Sequence, residues 1–354
     1  MTGKSILIIS PQNWDSRPVS KHHYAESLAK SNTVYFLNPP NCKRLESKII
    51  TDNPHSNLYT LSVILPIPYY FKFKLERVYR FFWIKAIKRI RKDIGSIDYL
   101  WNFDNGTFFK EIRFFKDSLK IFHPVDDFNV DSSYKYSTYD IGFSLSSEIL
   151  KKIPIKNKHF INHGLQAKFA FNKSKKDYST TPKHVVYMGN LSIPFLDTSS
   201  IRKIINNYQE LNFSFIGDYN QNSSFIQYLK MCGNVELLGL RKGQELFDML
   251  LNADILLICY KKMPGYFADN THKLLEYLST GNLVVSSRLS VYDKSNLFLM
   301  SLNDDNSDFV GVFEDCIKNF VIYNSQSNRD KRIQFALDNT YDKQIDRIYS
   351  LLSS

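Results

Sequence analysis

Lys273 follows the polar run Asp269-Asn270-Thr271 and precedes Leu274, Leu275 and Leu278 at helical spacing. The polar run predicts an N-cap, and Gly281 predicts the helix stop. A helix N-terminus with a lysine in its first turn is a natural pyrophosphate site, or else the lysine is a solvated surface charge. Glu276 lies three residues on and shares that face; on spacing alone it reads as a surface partner of Lys273. Gly189 and Asn190 close the apolar run HVVYM. A glycine there lets backbone N–H groups approach a phosphate or a sugar, or forms a plain turn. Tyr260, ending ADILLICY, stands either against a ligand or in the core. Asp126 and Asp127 follow another short apolar run, in HPVDDF. A carboxylate at the end of a strand can take a proton from a hydroxyl, but the same pair fits a turn or helix cap before Phe128. Spacing does not choose between the two. His163, before Gly164, is a further hydrogen-bond donor candidate, with a structural role as its alternative.

Metal chemistry finds little support. His22 and His23 are adjacent, so on a helix they point about 100° apart and do not readily share an ion. No Asp-x-Asp occurs anywhere in the chain.

These residues need elements to position them. From 184 to 287, short apolar runs (HVVYMGN, FSFIGDY, NVELLGL, ADILLICY, NLVVSS) alternate with helical spacing such as 244–251 and 273–278. That alternation predicts a parallel sheet with helices on both faces, whose ligands bind beyond the carboxyl ends of the strands. Gly189, Gly217 and Gly239 stand at those ends. The first half repeats the pattern more weakly. Strands are expected at 4–10, 33–37, 98–101, 120–123, 140–144 and 160–162, with a helix at 20–29. The expectation is α/β with two doubly wound, Rossmann-like domains: 1–169, a linker at 170–183, and 184–327. One helix over about 328–352 would end the chain, within a 328–354 segment that crosses back to the first domain. Two such domains make a cleft, a preferred place for small-molecule sites.

Composition narrows the class. A chain of 354 residues with 43% hydrophobic side chains can bury two cores. No apolar run approaches the ~20 residues of a membrane span. The start, MTGKSILIISPQ, reads as a buried strand and not as a signal peptide. Cys42, Cys232, Cys259 and Cys316 form no CxxC, so a cytoplasmic protein without disulfides is expected. Residues 1–183 hold 30 basic and 16 acidic side chains, against 16 and 19 in 184–354. The first half alone is basic, which suggests an anionic partner there. Residues 66–92, PIPYYFKFKLERVYRFFWIKAIKRIRK, hold nine basic side chains and one acid among Tyr69, Tyr70, Phe71, Phe73, Tyr79, Phe81, Phe82 and Trp83. That segment suits an anionic membrane surface, or an ordinary core helix with a basic outer face. No nucleic-acid module accompanies the charge, so nucleic acid is not an expected partner.

The segments HVVYMGNLS, FSFIGDY, NVELLGLRKGQELFDMLLNADILLICY and KLLEYLSTGNLVVSS together resemble the nucleotide-binding domain of GT-B glycosyltransferases, particularly family 4 and related bacterial polysaccharide enzymes. IFHPVDDF, YDIGFSLSSEIL and FINHGLQ add softer likeness in the first half. The resemblance implies a GT-B enzyme moving a sugar from a nucleotide diphosphate, UDP-linked in expectation, to a glycan hydroxyl. It gives Lys273 the diphosphate and Glu276 the ribose hydroxyls. It implies no metal or other cofactor, with Lys273 and the helix dipole neutralising the departing diphosphate. The family's first glutamate would fall at Ala268, with Asp269 one place off, and GNLSIPFLD lacks the usual basic residues. These departures fit an inverting relative, such as the glucuronosyltransferases of exopolysaccharide assembly. The basic first domain adds a lipid-diphosphate-linked acceptor and a location at the inner face of the membrane. Two alternatives remain: a nucleotide-sugar epimerase or hydrolase on the same fold, and a non-catalytic membrane- or glycan-binding adaptor with a degenerate nucleotide site.

Overall fold

A computed structural model describes residues 2–43, 47–68, 70–105, 108–131, 134–166, 169, 180–263 and 269–353, without the side chain of Phe73. The chain divides into two compact units, Met1–Asn162 with Tyr341–Ser354, and His163–Thr340. The expected linker at 170–183 lies mostly outside the described residues.

The first unit holds β1 (Ser5–Ile9), α1 (Ser20–Ala29), β2 (Thr33–Leu37), β3 (Asn41–Cys42), β4 (Lys48–His55), β5 (Leu58–Leu65), α2 (Phe71–Lys74), α3 (Glu76–Ile94), β6 (Tyr99–Asn102), β7 (Leu119–Phe122), β8 (Ile141–Ser144), α4 (Ser147–Lys152) and β9 (Lys158–Phe160). The sheet order is β3-β5-β2-β1-β6-β7-β8-β9, with β4 antiparallel on β5 and the other pairs parallel. β1 alternates between two cores. Leu7 and Ile9 face a cluster with Tyr79, Trp83, Ile87 and Ile90 of α3, whereas Ile6 and Ile8 face Tyr24, Ala25 and Leu28 of α1. Such a strand is apolar on both faces and reads as a continuous run, which is why it is legible. Residues 41–65 form three strands that the sequence pattern does not announce. Asp52, Asn53 and Pro54 interrupt β4, and a proline is tolerated there because β4 pairs with β5 alone.

The aromatic set of 66–92 is divided. Tyr79 and Trp83 are buried, while Tyr70, Leu75, Val78 and Phe81 are exposed, so the rings of Tyr79 and Trp83 are core and not surface anchors. Trp83 Nε1 donates to Glu111 Oε2 at 2.9 Å, and Arg80 donates to the other oxygen at 3.1 Å. Those bonds satisfy the buried indole. Tyr69 and the Phe73 side chain lie outside the described residues. No described helix is long and apolar enough to cross a membrane.

The second unit holds β10 (His184–Met188), α5 (Thr198–Asn207), β11 (Asn212–Ile216), α6 (Ser224–Met231), β12 (Val235–Gly239), α7 (Gly243–Leu251), β13 (Ile255–Ile258), α8 (His272–Ser279), β14 (Leu283–Ser286), β15 (Leu299–Met300), α9 (Phe309–Lys318), α10 (Phe320–Tyr323) and α11 (Gln326–Leu337). Its sheet is parallel, in the order β12-β11-β10-β13-β14-β15. The chain then returns to the first unit as α12 (Tyr341–Leu352), whose Tyr341, Ile345 and Ile348 join the α1 side of that core. The single helix expected over 328–352 is therefore two. The break falls where Leu165 N–H bonds Asn339 O and Leu165 bridges Thr340, which draws the backbone out of helical geometry.

Candidate functional site

In the second unit the strand order reverses between β10 and β13, so the loops leaving these strands diverge and open a crevice. Tyr277 fastens α8 to this point. Its hydroxyl accepts from Met188 N at 2.8 Å and donates to Leu257 O at 3.3 Å, tying the helix to the ends of both strands.

Lys273 is the second residue of α8 and only 8% exposed, which excludes the solvated-lysine alternative. Its ammonium bonds the Tyr260 hydroxyl. It also lies 4.9 Å from the Tyr187 ring centroid and 4.8 Å from that of Tyr260. Two ring faces and one hydroxyl thus replace water around the charge. Gly189 makes the room: a Cβ there would overlap the Lys273 ammonium, and its φ of 150° is one that side chains disfavour. Gly217 repeats the device at the end of the neighbouring strand, where a Cβ would overlap the Gly189 carbonyl.

Thr271 is the N-cap in extended conformation and makes no side-chain capping bond, and Asn270 Oδ1 accepts instead from the Tyr292 hydroxyl at 3.2 Å. The positive end of α8 is left without a Thr271 cap, beside a buried ammonium. Glu276 is likewise 8% exposed, so it is not the surface partner that spacing allows. Ala268 lies outside the described residues. Asn190 is exposed, and its Oδ1 accepts from Ser192 N at 2.8 Å in a local turn. Tyr260 is buried in the core, edge-on to Phe195, with its hydroxyl on the Lys273 ammonium. A cavity of about 410 Å³ opens beside it, lined by Asp197, Lys203, Lys261 and Asn306 among others.

His163 belongs to this unit, its ring 6.0 Å from that of His272. Burial pushes its pKa down to about 4, against a bond to the Asn270 backbone that favours the charged form. It is a neutral imidazole near pH 7.

Asp126 and Asp127 belong to the first unit and part company there. Asp127 pairs with Lys152 at 2.5 Å. Asp126 is exposed and makes no hydrogen bond among the described residues. His22 is no metal ligand in waiting: Val19 N donates to its Nδ1 at 3.2 Å and its Nε2 meets Asn13 O at 3.1 Å. Sequence reasoning missed Tyr187, Tyr277 and Lys21. The tyrosines look like ordinary apolar positions of a strand and a helix, and Lys21 like a solvated helix residue; no local signal separates them.

No family model matches the chain, and no curated protein matches it. Solved structures do. A UDP-forming α,α-trehalose-phosphate synthase from Burkholderia xenovorans superposes with a TM-score of 0.69 at 10% identity, covering 99% of both chains. Sucrose-phosphate synthase from Thermosynechococcus elongatus gives 0.67 at 12%, also over 99% of both. HepE from Anabaena, in complex with UDP and glucose, gives 0.65 at 11%, over 99% of this chain and 100% of that one. At such identities the likeness shows the fold: two Rossmann-like units in one chain, as the resemblance to GT-B enzymes implies.

Proposed function

We propose that the chain is a glycosyltransferase that moves a sugar from a UDP-linked donor to a hydroxyl of a glycan. The observation that carries this reading is the buried Lys273 ammonium at the N-terminus of α8, against Gly189 at the strand-order reversal. A diphosphate fits there because the helix end and the ammonium both favour anions. On binding, the ammonium exchanges the Tyr260 hydroxyl for phosphate oxygen. Glu276 accepts from the ribose hydroxyls, and the Gly189-Asn190 turn offers backbone N–H groups. The acceptor oxygen attacks the anomeric carbon as the bond to the diphosphate oxygen breaks. A carboxylate of the first unit takes the hydroxyl proton. Asp126 suits this task better than Asp127, which is engaged by Lys152. Lys273 stabilises the departing anion, and no step calls for a metal. Of the structures of like fold, one is of a UDP-forming synthase and one is bound to UDP and glucose, which favours uridine.

The acceptor is lipid-diphosphate-linked, in capsule or exopolysaccharide assembly, and the protein works at the inner face of the membrane. The exposed side of α3 supports this, with Arg77, Lys85, Lys88 and Arg89 beside Leu75, Val78 and Phe81.

Thermal unfolding with millimolar UDP, GDP or ADP tests the donor site, in wild type and Lys273→Ala. A ligand that binds only the folded chain raises the midpoint by mass action. A UDP-selective rise that Lys273→Ala abolishes is expected; no rise with any nucleotide would sink the reading.

A further inference from the structure

The first unit holds a second buried lysine, which the scheme above does not use. Lys21 is the second residue of the ten-residue α1 and is 1% exposed. Its ammonium makes no hydrogen bond or ion pair among the described residues. Burial lowers its pKa, opposed by the charges of Asp126 and Asp104. Three elements carry these groups to the carboxyl edge of one sheet. Lys21 comes from the helix after β1, Asp104 follows β6, and Asp126 follows β7. β1 and β6 are the strands between which the order of this sheet reverses. That is the crevice position, occupied in the second unit by the Lys273 site. The N-cap of α1, Val19, offers no side-chain cap.

A buried charged group without a hydrogen-bond partner is costly and is rarely left so in a folded protein. A bound acceptor atom would complete it. The local charge decides which kind. One ammonium lies in the field of two carboxylates: Asp104, buried, whose Oδ2 accepts from Phe108 N and Phe109 N at 3.0 Å, and Asp126, exposed. A phosphate or carboxylate entering there meets net repulsion, whereas a hydroxyl both accepts from the ammonium and donates to a carboxylate. We infer that Lys21, Asp126 and Asp104 form a subsite for adjacent hydroxyls of an uncharged sugar, which gives the acceptor a neutral terminal residue and not a phosphorylated one. The inference rests on the proposed transferase reading for the identity of the sugar as acceptor, but the subsite is testable alone. In it, Lys21 donates to one sugar oxygen while Asp126 receives the proton of the neighbouring hydroxyl.

Saturation-transfer NMR on the full chain provides the test. The probes are methyl glucoside, methyl galactoside and methyl mannoside, with glucose 6-phosphate and inorganic phosphate as charged counterparts. The variants are Lys21→Met and Lys21→Arg. At least one neutral glycoside should give a signal that Lys21→Met reduces at least fivefold and phosphate does not displace. Lys21→Met should also raise the unfolding midpoint, because it removes an unpaired buried charge, while the UDP-induced rise persists. A merely structural lysine would give the opposite, a lowered midpoint. Binding of glucose 6-phosphate or phosphate that depends on Lys21 would overturn the neutral-sugar assignment. Glycoside signals equal in wild type and Lys21→Met, or absent from wild type, would overturn the subsite. Loss of the UDP response with glycoside binding intact would instead count against the donor-site reading.

Discussion

Lys273 and Lys21 hold the same place in their helices, second residue in each, beside the strand-order reversal of their respective sheets. Their surroundings differ. Lys273 is wrapped by Tyr187 and Tyr260, with Gly189 clearing its space. Lys21 has two carboxylates in its field and no direct partner. Topology thus sets a strand-order reversal twice, with different side chains around each lysine. An aromatic cage keeps a cation ready for a strong anion without adding negative charge, whereas carboxylates bias their cation towards hydroxyls.

The cage is the more exacting of the two, and it breaks most severely at its glycines. Gly217→Ala places a methyl group into the Gly189 carbonyl at a φ of 150°. Backbone must move, so a loss of about 4 kcal/mol is expected, read from denaturant unfolding of the second unit, together with loss of the UDP response. Gly281→Ala is the control. Its φ is 74°, and its methyl group meets side chains that can give, Ile333 Cδ1 at 3.0 Å and Arg329 Cβ at 3.6 Å, so about 1 kcal/mol is expected. Equal losses at the two positions would show that the close approach of Gly217 to Gly189 is not what holds the cage.

His163 sharpens the contrast in pH. Its pKa falls from an ordinary 6.5 to about 4 on folding. Between those values the unfolded chain binds more protons than the folded one, so stability rises with pH. The contribution is complete above about pH 6.5 and lost as pH falls towards 4, amounting to about 3 kcal/mol. Stability of His163→Gln measured from pH 4 to 7 should lack that slope. An unchanged slope would mean that other groups carry it.

Much of this was legible in the sequence, and the reasons are local. β2 and α1 fall where the pattern puts them, β2 because a buried parallel strand leaves a continuous apolar run. The place of Lys273 in the first turn of α8 was legible because a lysine at a helix start is a local arrangement. What packs on it was not: Tyr187 lies far away in sequence and differs in no visible way from a core tyrosine. Lys21 was invisible for the same reason, since burial of a cation is decided by tertiary packing. Nor does the DNT run before α8 reveal that Thr271 leaves the helix end without a side-chain cap while Asn270 accepts from Tyr292.

The Tyr260 hydroxyl offers a finer break. Tyr260→Phe keeps the ring over Lys273 and deletes the bond to its ammonium. A bond to a buried charge contributes about 2 kcal/mol, so stability should fall by that much. UDP should bind more tightly in isothermal titration, because the phosphate no longer displaces an internal partner. Weaker UDP binding would instead make Tyr260 a direct ligand of the phosphate.

The smallest expected effect lies on the outer face of α3, where the charges are exposed, Lys88 over the Phe114 ring and Arg89 beside Asp93. Lys85, Lys88 and Arg89 are exposed there, and Phe81 is 64% exposed. If this face meets an anionic surface, each charge contributes about 1 kcal/mol near the lipid. Co-sedimentation with vesicles of phosphatidylglycerol and phosphatidylcholine reads this directly. Lys85→Gln and Lys88→Gln should each weaken partitioning about fivefold, and salt should weaken it further. Phe81→Ser should weaken it without changing the salt dependence, because a ring contributes by burial and not by charge. Trp83→Phe separates the two faces of the helix. Its indole is inside, bonded to Glu111, so it should lower stability and leave vesicle binding unchanged. Equal partitioning onto neutral and anionic vesicles would leave the basic face of the first unit as solvated charge, with its excess of cations serving solubility and not docking.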